Sequence, residues 1–426
     1  MRSRLFFLFY NFCTLLLFSF LVAGCAFFGL GGAQTPPATL SGNAHFTPID
    51  VVAQQVLMNI HEHGWNPRAV THGTTVTGGL FTNWKMDNPS VTNAMGLGPS
   101  DETQSRHDPQ VDLLYLTSLT DYRQLHPQDH AFDSDVSRMT VTVISDFASY
   151  NLPKGWIYFY LLRNGQLLNN ATLVNVAHGV AQRYYTNWYN AGVGVIYDYK
   201  HNPPIYDPNM SLEAGVALID AGTRWHDPAW IDAGKRTIDH VLAFALDPHY
   251  HLFYNNMTIN AKNQDQVLNY EAKPSTQAES SWALVFAYNL THNQHYLDMA
   301  DQLLHNLWTS GLWDEQHGGF FFAIDMKKHA LLAKYKETRS QSAVLLALHY
   351  YDQVRQREFG SQEQQLVHVL TNHFYQSTYH GFFYRMTPDF QIYVTKPGDG
   401  LGVEDYFTTE AMGGALDALQ RSELHN

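Results

Sequence analysis

The sequence predicts an all-α fold, a closed two-layer barrel of six helical hairpins with short β-hairpin loops between the helices. Two observations predict it. The first is a unit of two unlike helices, clearest between Gln294 and Leu348. Tyr296, Ala300, Leu303, Leu304, Leu307 and Trp308 recur on one face of a helix, whereas Ala343–Leu348 is apolar on every side. A single apolar stripe covers a core from outside, and a helix apolar all round is enclosed by its neighbours, so an outer helix is followed by an inner one. Between them Trp313-Asp314-Glu315-Gln316-His317-Gly318-Gly319-Phe320-Phe321-Phe322 reads as a tight turn opening a strand or hairpin. The second observation is that the unit recurs, which means a repeat architecture.

Ahead of the first unit, Met1–Gly24 has the form of an export signal, with Arg2 and Arg4 before an apolar core over Leu5–Leu21. It ends in Val22-Ala23-Gly24-Cys25, which resembles the bacterial lipoprotein box. That resemblance implies acylation of Cys25 and a lipid anchor on the outer face of the bacterial cell membrane. An uncleaved anchor is the alternative, but the core is short for a spanning helix. The only other cysteine, Cys13, lies inside the signal, so the processed chain can form no internal disulfide. Residues 25–47 read as a tether, because Ala26–Asn43 is rich in Gly, Ala, Pro and Thr. Residues 48–426 are then one repetitive domain. Formal charge is −13, and loss of Arg2 and Arg4 makes it −13 − 2 = −15. Such an acidic chain argues against nucleic acid or anionic lipid as the main partner.

The outer helices in order are Ile49–Glu62, Asp135–Ser149, Leu173–Trp188, Trp230–Leu246, the Tyr296–Trp308 helix and Gln362–Phe374. Their loops carry Gly78-Gly79-Leu80-Phe81, Pro153–Phe159, Gly192–Tyr197, His249–Tyr254, Trp313–Phe322 and Tyr379–Tyr384. The inner helices are Val111–Leu119, Leu212–Ala221, Gln277–Leu290, the one opening at Lys336, and Glu404–Leu419. One more is expected within Ile157–Leu167, where the pattern is too irregular to draw. The last four inner starts are about 65, 60 and 68 residues apart, a period suited to closing a ring. An open solenoid is the competitor, but end repeats with polar outer faces are not evident.

Charged residues concentrate where inner helices begin: Asp108 and Asp112, Glu213, Glu279, Glu337 with Arg339, and Glu404 with Asp405. Carboxylates in a first turn also offset the partial positive charge of a helix end, which explains any one of them. The same feature at every legible inner helix is a different matter, because closing the ring would converge them on one cavity. Crowding there raises some pKa values, and a protonated and an ionised carboxylate together are what glycoside cleavage needs. Aromatic residues make up 14% of the chain, and Trp65, Trp84, Trp156, Trp188, Trp308 and Trp313 fall at outer-helix ends or in the loops beyond. Core filling accounts for many of them, and stacking on sugar rings is the functional alternative.

The pattern Gln277-Ala278-Glu279-Ser280-Ser281-Trp282, Tyr296-Leu297-Asp298-Met299-Ala300, then Trp313-Asp314-Glu315 with Gly318-Gly319-Phe320 resembles the six-hairpin (α/α)6 glycosidase superfamily. The nearest flavours are the endo-mannanase-like glycoside hydrolases and the N-acylglucosamine 2-epimerase-like proteins. The resemblance implies an (α/α)6 toroid with a cleft where the inner helices begin, and a carbohydrate substrate there. Adjacent aspartates are the catalytic pair in the mannanase-like enzymes; here the adjacent pair is Glu404-Asp405, in the last hairpin rather than an earlier one. Glu404, Asp405, Glu279 and Asp108 are therefore the catalytic candidates. Asp112, Glu213, Trp313, Phe320, Arg339, His107 and Tyr384 are the candidates for holding substrate.

The epimerase reading needs two histidines facing the cavity as acid and base, and His107 supplies one. A lipid-anchored glycan-binding protein without catalysis is the third reading. No cofactor is expected, and the domain is expected to act as a monomer. His61-x-His63 and His249-x-His251 are the pairs that suggest a metal, but neither has a convincing third ligand. The lipid anchor is directly testable: Cys25→Ser is expected to abolish lipid labelling and shift the protein from the membrane fraction. Unchanged partition and labelling would refute it.

Overall fold

The structure, a computed structural model, describes residues 47–67, 70–71, 74–75, 78–92, 107–197, 203–356, 358–393 and 406–424. They lie in a compact unit running from Phe46 to Asn426. The outer helices are α1 (Ile49–His63), α3 (Asp133–Phe147), α5 (Ala171–Arg183), α7 (Pro228–Phe244), α9 (Gln294–Thr309) and α11 (Gly360–Val369). Between them come the inner helices α2 (Pro109–Leu125), α4 (Gly155–Leu167), α6 (Pro208–Trp225), α8 (Pro274–Thr291), α10 (Thr338–Arg355) and α12 (Thr409–Leu424). Each inner helix packs on the next, α2 on α4 and so on to α12, and α12 packs back on α2, so the ring closes. The predicted asymmetry is visible in burial. α9 buries one stripe (Tyr296, Leu297, Ala300, Leu303, Leu304, Leu307), whereas α6 buries every residue from Ser211 to Gly222. No helix among the described residues is long and apolar enough to cross a membrane.

Turns from inner to outer helices repeat one device. Asn169, His226 and His292 take left-handed backbone, with φ of 48°, 60° and 56°. The residues that follow, Asn170, Asp227 and Asn293, accept backbone N–H bonds at the starts of α5, α7 and α9. Outer-to-inner loops are the short antiparallel hairpins expected: Trp65–Asn66 pairs with Gly79–Leu80, Tyr189–Asn190 with Val195–Ile196, and Tyr375–Gln376 with Gly381–Phe382. Single bridges join Leu246 to Phe253 and Trp313 to Phe320.

The fourth residue of an inner helix then grips the closing residue of the hairpin before it. Asp112 Oδ1 accepts from the Leu80 N–H at 2.8 Å, and Ser211 Oγ donates to the Ile196 carbonyl at 2.6 Å. Gln277 brackets Phe253, accepting from its N–H at 2.7 Å and donating to its carbonyl at 3.0 Å. Gln341 does the same to Phe320, at 2.8 and 2.9 Å. These side chains satisfy loop backbone groups that the aromatic packing has removed from water.

Two boundaries differ from the sequence reading. Trp156–Phe159, expected in a loop, form the first turns of α4, whose apolar start carries no acidic residue and no side-chain cap to mark it. The last inner helix begins at Thr409 rather than Glu404, because Tyr406–Thr408 pairs antiparallel with Asn83–Lys85 and ties the end of the ring to its first loop. Glu404 and Asp405 lie outside the described residues, as do Cys25, the signal and most of the tether.

Gly155 lets α4 approach α6, since a Cβ there would stand 2.1 Å from the Glu213 carbonyl carbon and 2.3 Å from the Ala214 nitrogen. Backbone cannot give way as a side-chain tip does. Gly155→Ala is therefore expected to destabilise the fold by at least about 1–3 kcal/mol, read from the midpoint of chemical denaturation. An unchanged midpoint would show that α4 can back away from α6 freely.

Candidate functional site

At the end of the ring where inner helices begin, polar contacts run from helix to helix. Lys154, just before α4, donates from Nζ to Gln110 Oε1 of α2 at 2.7 Å. The Trp156 N–H of α4 donates to Glu213 Oε2 of α6 at 3.1 Å. Asn209 of α6 donates from Nδ2 to Glu279 Oε2 of α8 at 2.8 Å. Arg339 of α10 then spans two carboxylates, with one nitrogen 3.2 Å from Glu279 Oε1 and the other 3.4 Å from Glu410 Oε1 of α12. Five of the six inner interfaces are joined in this way. Gln110, Trp156, Asn209, Arg339 and Glu410 are each the second residue of their helix, while Glu213 and Glu279 are each the sixth, one turn deeper.

Access differs sharply along this line. Arg339 and Glu410 keep 48% and 43% of their side-chain surface exposed and Glu279 18%, so these three face the mouth. Glu213 is fully buried, and its Oε1 has no hydrogen-bond partner among the described residues. Burial first, and the Glu279 charge second, push its carboxyl well above the ordinary range, against the pull of the Trp156 N–H. The Glu279 charge is also the main reason that Arg339 holds its proton more firmly than a free guanidinium.

A second acidic group is closed off from the mouth. His107 Nε2 lies 3.0 Å from Asp146 Oδ2 and 3.1 Å from Asp112 Oδ2, with all three side chains inaccessible. Burial, then the Asp146 charge, holds the Asp112 carboxyl well above the usual range. A protonated Asp112 beside a His107 N–H accounts for the contacts without a cation, although these ligand atoms, all within 4.8 Å of one another, could also hold one. Gly79 is required here, since a Cβ would meet His107 Cε1 at 2.2 Å.

The remaining candidates divide between the mouth and the packing. Tyr384 is half-buried, and burial, then Glu337 and Glu410, raise its phenol, so it belongs with the mouth. Asp108 caps α2, accepting from the Gln110 N–H at 3.0 Å, and so performs the bland role weighed for it. Asp112 grips Leu80 and Glu213 is sealed, so neither touches a substrate directly as the structure stands. Phe320 is fully buried and Trp313 half-buried, packed on each other at 5.0 Å between ring centres and on Trp308. Their loop is pinned by Lys336, whose inaccessible Nζ lies 2.8 Å from Asp314 Oδ2, which places Phe320 in the core rather than against a sugar. Glu337 is spent on a buried pair with Arg385 at 2.8 Å. The metal-suggestive pairs are dispersed: His61 bonds Asp135 at 2.8 Å, and His249 packs on His329. Asn209 and Glu410 were not singled out. Glu410 was hidden by starting the last helix five residues early, and aligning second positions would have shown it.

No family model and no curated protein matches the chain. Solved structures do. It is similar to an unsaturated glucuronyl hydrolase specific for heparin, at 14% identity with TM-score 0.59, over 88% of this chain and 97% of that one. A family 76 glycoside hydrolase from a bovine Bacteroides thetaiotaomicron strain matches at 10% identity and TM-score 0.65, over 89% and 78%. A D-mannose isomerase matches at 13% identity and TM-score 0.60, over 88% and 97%. The fold is the six-hairpin (α/α)6 toroid. At these identities the likeness carries the toroid's architecture, and chemistry has to be argued from the mouth.

Glu213 gives that argument a pH signature. Its folded pKa lies above its unfolded one, so its contribution to stability is full below about pH 4.5 and is lost as pH rises through the folded value. Asp112 acts in the same direction. Glu213→Gln still accepts from Trp156 but cannot titrate. Its loss of stability between about pH 5 and about pH 8 is expected to be shallower than that of the parent chain in chemical denaturation.

Proposed function

We propose that this protein is a glycoside hydrolase whose reacting bond lies between Glu279 and Glu410. The observation that carries this reading is the Arg339 bridge, backed by a buried proton-holding Glu213. Through one planar guanidinium, contacts of 3.2 and 3.4 Å limit the separation of the two carboxylate oxygens to about 9 Å. That upper limit is compatible with the roughly 5–9.5 Å used to place a glycosidic bond between two carboxyl groups. Both reach the mouth. Glu213, buried beside Glu279, holds a proton that it can pass through Glu279 to the leaving oxygen. As the glycosidic bond breaks, Glu410 meets the developing positive charge at the anomeric carbon, or takes the proton of the attacking water. The water's hydroxyl ends on the sugar, and its one released proton restores the acid, either directly or from Glu410 through solvent.

The isomerase reading is less well supported, because His107 is the only histidine at an inner-helix start among the described residues and it is sealed between two aspartates. The exported, lipid-anchored form expected from Cys25 suits an enzyme that meets glycans outside the cell. Two neighbours supply the first substrates to try. One is an inactive double-aspartate variant of a Salegentibacter α-1,6-mannanase in complex with α-1,6-mannotriose, and the other is the heparin-specific glucuronyl hydrolase.

Reducing-end release from α-1,6-mannooligosaccharides and unsaturated heparin fragments, within a wider glycan panel, is the direct assay. On a responsive glycan, Glu279→Gln and Glu410→Gln are each expected to lower kcat by about 10²–10⁴-fold with the fold intact. Glu404→Gln and Asp405→Asn, tested alongside, decide whether the adjacent pair contributes. Near-parental turnover in both the Glu279 and Glu410 variants overturns the assignment, and binding without cleavage across the panel favours a glycan-binding protein instead.

A further inference from the structure

The opposite end of the ring holds a cavity of about 280 Å³. Its walls come from α4, α6, α8, α10 and α12, at residues 4 to 16 positions beyond the helix starts, which spreads it about 6–24 Å along the helices from the mouth. Phe159, Trp282, Phe286 and Tyr350 form its apolar side, with Phe286 edge-on to Tyr350 at 4.8 Å and to Trp282 at 5.1 Å. Arg163, Arg224 and Arg421 form its polar side.

Arg421 keeps only 5% of its side-chain surface exposed. Its Nε lies 2.6 Å from Asp417 Oδ1 and 3.4 Å from Asp121 Oδ2, and one terminal nitrogen donates to the Tyr350 hydroxyl. The other terminal nitrogen, Nη2, has no hydrogen-bond partner among the described residues. A buried donor of a permanently charged group is costly to leave unmet. Arg224 donates to Asp220 Oδ2 at 2.6 Å with one edge, and 41% of its side chain stays open. Arg163 pairs with Asp121. Asp417 is pushed up to about 7 by burial and by Asp121, so near neutrality the three guanidiniums face fewer than three full negative charges.

Basic residues in the last turns of α6 and α12 also answer the negative ends of those helices. That role explains their charge, but not an aromatic-walled space lined by three guanidiniums. We propose that this cavity is a second binding site, taking a single ring that bears one carboxylate, with the ring among Phe159, Phe286 and Tyr350 and the carboxylate on Arg421 and Arg224. Its volume lies just below the roughly 300–1,000 Å³ of sites for drug-sized ligands, which suits one ring rather than an oligomer. Planar guanidiniums match a carboxylate in two-point fashion, and aromatic walls accept either a sugar face or an arene. The site goes beyond the proposed hydrolase activity and uses none of its residues.

Calorimetric titration of the full chain with benzoate and D-glucuronate, and with the neutral benzyl alcohol and D-glucose, tests it. At least one acid is expected to bind at least ten-fold more tightly than its neutral counterpart. Arg224→Gln is expected to weaken that binding at least ten-fold, and Gln166→Trp, at the exposed rim, to block it. Both changes spare the buried Arg421, whose replacement would strand Asp121 and Asp417 away from water. Arg339→Gln, at the mouth, is expected to leave the binding unchanged. The proposal is overturned if neither acid binds, if the neutral compounds bind equally, or if Arg339→Gln rather than Arg224→Gln abolishes binding.

Discussion

The level of the mouth depends on a short polar grip: in four of the six inner helices the fourth residue holds the backbone of the hairpin that precedes it. A toroid has to turn its chain at each outer-to-inner connection, and those turns are packed with aromatic residues that exclude water. Their N–H and carbonyl groups need partners inside the fold. Gln277 and Gln341 supply both a donor and an acceptor to a single residue, while Asp112 and Ser211 supply one each. Because the grip occurs at one helical position, it also sets how far each inner helix projects. The second and sixth residues of neighbouring helices consequently reach a common level, where Arg339, Glu279 and Glu410 meet.

The mouth and the opposite end of the ring handle charge differently. At the mouth, Glu279, Arg339 and Glu410 remain partly exposed, so solvent and ligand can exchange with their pairing. At the opposite end, Asp121, Asp417 and Arg421 are buried among Tyr160 and Tyr350. Removing one member of such a set strands a charge away from water, so the cluster favours one arrangement of α2, α4, α10 and α12. Between the two ends, Phe159, Trp282 and Phe286 pack edge to face at 5.1–5.8 Å. The same rings form the apolar wall of the cavity.

Much of the architecture was legible because burial writes itself into periodicity. The one-sided pattern of Tyr296–Trp308 and the all-round apolarity of Ala343–Leu348 follow from where each helix sits, and their recurrence predicted the six hairpins and their loops. Glu279 and Arg339 were legible too, as charges in first turns. What sequence could not decide was direction and depth. Glu213 and Glu279 occupy equivalent positions, yet one is sealed behind the Trp156 N–H and the other opens to the mouth, because Gly155 lets α4 press onto α6. Asp112 read as a cavity carboxylate and is a loop grip, and Phe320 read as a stacking surface and is core. Glu410 was obscured because the pairing of Tyr406–Thr408 with Asn83–Lys85, more than 300 residues away, sets where α12 begins. Local pattern determines which helices form and which faces they bury. Only the closing of the ring decides which carboxylates share a cavity, since that depends on contacts between residues far apart in the chain.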